Sequence, residues 1–515
     1  MGADSIVVTQ LISRLRARFG VELSFCDVLG APTVAALAAR VESSKRRSSS
    51  LSFCDLPKDI ACPERNTSLS VVQERILRIE KEVPGLPQFN LSFAYRLRGL
   101  LNVPALERSL AEVASRHASL RTGFSWLDGF AVARIIAADD VKVPLIVADL
   151  TPSTSKGSLR AKALLLRKVE LEVEQESLKP FDMSQAPLCR ARLFRVGSDD
   201  HVFLLVVHDI IIDGWSMEVF MQELSELYAA FVAGKQLQAL TPALQFSDFA
   251  WRQRRWANSD AASRQFDYWK RRLRKAVPVF ADKKKDIGAE LAASIVHERL
   301  HISNDLVARL SDFSHSRGAT LFMALLTGFK TLLLLRSGRN DICVATMMAN
   351  RSHVGVECVI GPFANTTLIR TQLNADLTFQ EAVNRVRDAV LEAYDRQELP
   401  FDIIAERLAK EAGMDPASLT QVYFVLQVAF RRAVKLPHTT VRQFGYRQGL
   451  AFMPIDRTWL AMTLSETPSG IIGAFRHKKD LLEPGILRHW IADYRAILAK
   501  ATANPKSLLG RLADR

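Results

Sequence analysis

An unbroken apolar run at residues 201–207, HVFLLVV, predicts a buried strand. Beyond it the rhythm changes. Val219, Phe220, Leu224, Leu227 and Phe231 recur mostly at three- and four-residue steps, which predicts a helix over 216–231. Upstream, residues 89–97 read as a strand. Residues 104–117 read as an amphipathic helix with Leu106, Leu110, Val113 and Ala114 inward. The mixture continues past residue 240, with strands at 296–302, 421–427, 462–466 and 471–475 and helices at 306–317 and 484–500. Residues 240–276 are helical and aromatic (Phe246, Phe249, Trp251, Trp256, Tyr268, Trp269), which fits packing between two halves and places a boundary near 240. At the start, Val8, Leu11, Ile12, Leu15 and Phe19 make one helical face, and Pro32-Thr33 opens a second helix over 34–41. Periodicity is lost over 43–66, where serines, basic residues and two prolines mark a linker. The pattern divides the chain into a helical segment, 1–42, a linker, 43–66, and two α/β lobes, 67–240 and 241–515.

Composition narrows the class. The chain has 515 residues, of which 48% are hydrophobic, enough for several folding units with a large core. No apolar run approaches the roughly 20 residues of a spanning helix, so no membrane role is expected. MGADSIVV has an acidic Asp4 and no basic region, unlike a signal peptide. Cys26, Cys54, Cys62, Cys189, Cys343 and Cys358 form no CxxC pair, so no metal is expected, and reduced cytoplasmic thiols are. The net charge of +14 is spread along the chain in short clusters, which reads as solvated surface and not as a nucleic-acid stripe. A basic surface favours an acidic partner, such as a phosphopantetheine arm.

The candidate chemistry lies where the apolar run ends. His208, Asp209 and Asp213 stand beside Gly214 and Trp215, at the end of a strand and before a helix, where sites commonly lie. A purely local reading is also available: Asp213-Gly214 as a turn and Ser216 as a helix N-cap. HDIIIDGWS resembles the HHxxxDG motif of condensation domains from nonribosomal peptide synthetases, with Asp209 where that family carries its second, catalytic histidine. Further motifs occur in the family's order. SLSVVQERIL matches the opening motif at Ser70, Gln73 and Arg75. RHASLRTGF contains Arg121, expected to hold structure. KPFDMSQAPLCRARLFRV, VIGPFANTTLIR and RQELPFDIIAERL follow. The resemblance covers about residues 67–506 and implies two chloramphenicol-acetyltransferase-like α/β lobes in a V-shaped pseudo-dimer, with the active site in a tunnel between them. It also implies a buried arginine opposite Asp213, either in the segment from Lys179 or at Arg351.

Gly2, Asp4 and Ser5 match the GxDS motif of peptidyl carrier domains, and the following residues to about 42 are carrier-like. The resemblance implies 4′-phosphopantetheine on Ser5 and a short helical carrier remnant, too small to form a core alone. Together the two resemblances imply acyl transfer. An upstream carrier presents a thioester, a downstream carrier presents an aminoacyl amine, and an amide forms, with other synthetase modules as partners. His208, Asp209, Asp213 and Gly214 are the site residues this implies. Because Asp209 replaces the histidine, two alternatives stand beside amide synthesis: a docking platform for carriers or enzymes, and an acyltransferase with an alcohol or other unusual acceptor.

Overall fold

The computed structural model describes residues 5–21, 23–31, 33–44, 68–85, 87–151, 159–235, 244–280, 295–351, 354–427, 434–445, 458–478, 482–483 and 485–513. Nearly all of the expected linker lies outside them.

The chain begins with α1 (Ser5–Phe19), α2 (Phe25–Leu29) and α3 (Val34–Ser43). Gly20 takes φ +64° and donates its N–H to Arg16 O, which ends α1. Thr33 caps α3 by accepting from the Ala36 N–H.

The first lobe runs through α4 (Val71–Glu82), β1 (Asn90–Gly99), α5 (Val103–Arg116), the hairpin β2 (Thr122–Leu127) and β3 (Phe130–Ile135), β4 (Leu145–Asp149), α6 (Leu159–Leu178), β5 (Cys189–Gly197), β6 (Asp200–His208) and α7 (Gly214–Val232). The predicted run at 201–207 is β6, buried along its whole length. Strand alternation sends its side chains to two different cores. Phe203, Leu205 and Val207 join α5 and α7 on one face. Val202, Leu204 and Val206 join Val169 and Val173 of α6 on the other. At roughly 1.5–3 kcal/mol for each large apolar side chain, this strand anchors the lobe and fixes where its end must fall.

The second lobe contains α8 (Phe246–Ala257), α9 (Asp260–Leu273), β7 (Ile295–Ser303), α10 (Asn304–His315), α11 (Leu321–Ser337), β8 (Asp341–Met348), β9 (Asn365–Gln372), α12 (Phe379–Tyr394), α13 (Phe401–Ala412), β10 (Val422–Gln427), β11 (Thr439–Gln443), β12 (Leu460–Thr467), β13 (Gly470–Lys478) and α14 (Ile486–Ala503). Its sheet has the order β7-β13-β12-β10-β8-β9, with β10 parallel to both β12 and β8. The central helix α11 is buried from Met323 to Leu334.

The division at 240/241 needs one correction. The first sheet has the order β11-β1-β6-β5-β4, and β11 pairs antiparallel with β1, Tyr95 opposite Gln443. A strand from the C-terminal half thus completes the N-terminal sheet. The helix α8 does pack with the second lobe's core, as its aromatic residues suggested.

The N-terminal helices do not stand apart. Val8, Ile12, Val21, Leu23, Phe25, Val28, Ala31 and Leu37 are continuous with the second lobe's core. Phe25 stacks on Tyr394 at 4.3 Å, and its N–H donates to Asp395 Oδ1 at 3.4 Å. The larger lobe therefore supplies the apolar cover that so short a segment lacks. Among the described residues no helix is long and apolar enough to cross a membrane, and no group of three or more His, Cys, Asp or Glu is placed to hold a metal ion.

Candidate active site

β6 ends at His208, opposite Asn90 of β1, and the chain turns through a short 3-10 helix, Asp209–Ile211, into α7. Two elements of the first lobe hold this turn by its carbonyls. Gln73 closes a capping box with Ser70 at the start of α4 and donates Nε2 to Ile210 O at 3.1 Å. Ser119 Oγ donates to Ile211 O at 2.7 Å.

His208 is 2% exposed. Its Nδ1 accepts the Ile210 N–H at 3.2 Å, so in the neutral ring the proton sits on Nε2, which faces Glu80 Oε1 at 3.6 Å. The rings of Phe89 and Phe181 flank it. Burial pushes its pKa below the usual histidine range despite Glu80. Enclosed and neutral, His208 shapes the turn.

Asp213 is the N-cap of α7, where the sequence allowed Ser216 to be the cap. A carboxylate reaches the first-turn N–H groups as well as a hydroxyl does and adds charge toward the helix dipole. Both oxygens are used twice. Oδ1 accepts from the Ser216 N–H at 2.7 Å and from Arg351 Nη2 at 3.2 Å. Oδ2 accepts from the Phe363 and Ala364 N–H groups at 3.0 and 3.2 Å. Arg351 is therefore the buried arginine opposite Asp213. Arg190 and Arg192 turn instead to Glu176. Arg351 is fully buried, donates to Val356 O and Val359 O at 2.6 and 2.8 Å, and lies 4.0 Å over the Phe363 ring.

Ser216 is a hub. Its Oγ donates to Gly361 O at 2.8 Å and accepts from Gly361 N–H at 3.0 Å and Arg351 Nη2 at 2.5 Å. A side chain on Gly361 would place Cβ 2.1 Å from the Phe246 ring, so only glycine fits. Through these contacts the start of α7 in one lobe is locked to Arg351, Gly361, Phe363 and Ala364 of the other.

Asp209 and Gly214 differ from this locked set. Gly214 is exposed, with open space where a Cβ would stand. Asp209 keeps partial surface access yet is surrounded by protein on most sides. Burial raises its carboxyl to about 7, Arg75 opposes the rise, and Asp213 adds to it. The turn thus sets a carboxyl raised to about 7 beside the exposed Gly214, at a helix start whose Ser216 N–H is already taken by Asp213.

A family model described as "Condensation domain" matches residues 64–513. The chain belongs to the condensation-domain family. That family's standard reaction is peptide-bond formation between carrier-bound substrates, an acyl transfer. A second model, "Phosphopantetheine attachment site", matches residues 1–41 and implies covalent phosphopantetheine on a carrier segment. One linear gramicidin synthase polypeptide of Brevibacillus parabrevis is 36% identical over 98% of this chain, which spans 6% of that protein. Bacitracin synthase 3 of Bacillus licheniformis is 29% identical over 98% of the chain, which spans 7% of its length. The chain thus corresponds to a small part of multimodular relatives. The crystal structure of the X-domain from teicoplanin biosynthesis superposes with a TM-score of 0.72 at 27% identity, covering 88% of this chain and 99% of that one. The first condensation domain of the CDA synthetase, at 18% identity and TM-score 0.66, covering 87% of this chain and 99% of that one, shares the fold.

The carrier-like segment of this condensation domain approaches the locked region. Arg14 of α1 lies 3.8 Å from Glu357, whose backbone oxygen accepts Trp215 Nε1 at 3.0 Å. Ser5 is the first residue of α1, a helix with no acidic residue in its first turn. Arg121 donates to Ile136 O, bracing the β2–β3 hairpin. Two cavities are separate from Asp209 and Gly214. One, of about 460 Å³, is lined by Tyr268, Arg271, Arg272, Arg370, Gln372 and Glu392. The other, of about 20 Å³, lies beside Gln73 and Ser119. In the sequence Ser216 reads as a helix cap, and nothing local marks Glu80 or Ser119. Gln73 did have a legible signal, the S-x-x-Q capping pattern from Ser70.

Proposed function

We propose that this condensation domain forms an amide between an upstream carrier-bound acyl or peptidyl thioester and the amine of a downstream carrier-bound aminoacyl group. Asp209 is the proton acceptor, the exposed backbone at Gly214 faces the developing oxyanion, and His208 and Asp213 hold the turn. The observation that carries the reading is a partly accessible Asp209 raised to about 7 at the position of the family's second histidine. The amine attacks the thioester carbonyl, a C–N bond forms and the C–S bond breaks. The proton lost by nitrogen passes to Asp209 and leaves with the departing thiol. A positioned base contributes typically about 10²–10⁴-fold, and an acid tuned near the working pH serves best. Ser5 would carry the 4′-phosphopantetheine arm of the upstream carrier. When present, that group supplies the thioester tether.

A second reading has its own support. A solved complex of the X-domain and OxyB from teicoplanin biosynthesis is 26% identical with a TM-score of 0.71. A condensation fold with an altered histidine position is consistent with a docking platform. Single-turnover reactions with carriers loaded with a panel of N-acylated and free amino acids separate the two. Product from the native chain that is lost in Asp209→Asn supports the base. No product from the native chain, with product from Asp209→His, supports the platform.

A further inference from the structure

The turn bearing Asp209 packs on α4, and α4 packs on α13 of the other lobe. Gln73 ties α4 to that turn at Ile210 O. Two residues further along α4, Arg75 Nε stands 3.3 Å from Asp402 Oδ2, and Asp402 is the second residue of α13. This ion pair crosses the junction between the lobes, with side chains 24% and 27% exposed. The charged groups facing Asp209 are Arg75 from α4 and Asp213 from its own turn. Asp213 is already engaged by Arg351 and three backbone N–H groups. Glu80, also on α4, faces His208. Arg75 is thus a cation within electrostatic range of two carboxylates that belong to different lobes.

We propose that Asp402 is a positioning residue for acyl transfer: it holds Arg75 across the lobe junction and so keeps the guanidinium from neutralising Asp209. A carboxylate paired with a guanidinium is a weak base, whereas one in a partly dry site without that partner takes protons near neutrality. Arg75 held on Asp402 leaves Asp209 able to accept a proton. Loss of that hold lets the guanidinium charge act more strongly on Asp209 and suppress it. This inference rests on the reading of Asp209 as the base.

The test is direct titration of Asp209 in the full chain carrying ¹³Cγ-labelled aspartate, its resonance assigned by its loss in Asp209→Asn. Asp402→Asn should lower the proton affinity of Asp209 by about threefold to tenfold, the scale for a nearby cation drawn closer in a partly screened site. Asp402→Glu should restore the native midpoint. In an Arg75→Gln background, Asp402→Asn should produce no further shift. An unchanged midpoint in Asp402→Asn overturns the proposal, and so does an equal shift in the Arg75→Gln background, which would mark a direct charge effect. If the midpoint moves as expected while the single-turnover amide rate does not follow it, the hold of Asp402 on Arg75 stands, and the reading of Asp209 as base fails together with any role of Asp402 in acyl transfer.

Discussion

Replacing Asp213 by alanine removes one partner of a fully enclosed ion pair. Asp213 is 2% exposed and Arg351 0%. A guanidinium left in that setting has no water to turn to, and breaking such a pair costs about 3–5 kcal/mol. The N–H groups of Ser216, Phe363 and Ala364 lose their acceptor in the same step, which places the cost at the upper end of that range. Domains of this kind are stable by roughly 5–15 kcal/mol in total, so the variant should approach the edge of folding. Urea unfolding followed by tryptophan fluorescence reports this, since Trp215 sits on the same lock. The double variant Asp213→Ala/Arg351→Met should be less destabilised than Asp213→Ala alone, because no charge is left buried. A cost below about 1 kcal/mol for Asp213→Ala, or additive effects in the double variant, would refute the claim that this pair locks the lobes.

Other parts of the fold are open to equally direct checks. Gly361→Ala forces a methyl into the Phe246 ring and should cost about 1–3 kcal/mol or more in the same unfolding assay. Phe25→Ala removes the stack on Tyr394 and should raise hydrogen exchange in α1–α3 while the β6 amides keep their protection. Lys330 is buried with Nζ donating to Ile342 O, Ile369 O and Thr371 Oγ1, and burial lowers it to about 7. The unfolded chain then binds the extra proton between about 7 and the ordinary lysine value. Stability should therefore rise with pH across that window and level off below about 7, where both states hold the proton, and Lys330→Met should flatten that slope.

Much of this was legible in the chain itself. Burial on both faces makes β6 an uninterrupted apolar run, and one-sided burial gives α5 its spacing of Leu106, Leu110 and Val113, so both elements appear in the pattern. The crossing of β11 into the first sheet was not legible. Its burial is partial and its partner β1 lies more than 300 residues away, so nothing local encodes the pairing. The site divides the same way. His208, Asp209, Asp213 and Gly214 announce themselves as one contiguous motif. Arg351 was one of two places the resemblance offered for the partner of Asp213 and needed the contact itself to decide, while Ser216 and Asp402 take their meaning from contacts across the lobe junction, where a sequence offers only residue types.

Asp209 is proposed as the group that takes the proton in acyl transfer. The most direct measurement is the single-turnover rate of amide formation as a function of pH, with both carriers loaded, in the native chain and in Asp209→Asn. The native rate should rise as Asp209 ionises, with a midpoint near its raised value of about 7, and the variant should be slower by about 10²–10⁴-fold and lack that midpoint, keeping only the titration of the attacking amine. Equal rates and equal pH dependence in the two chains would contradict it.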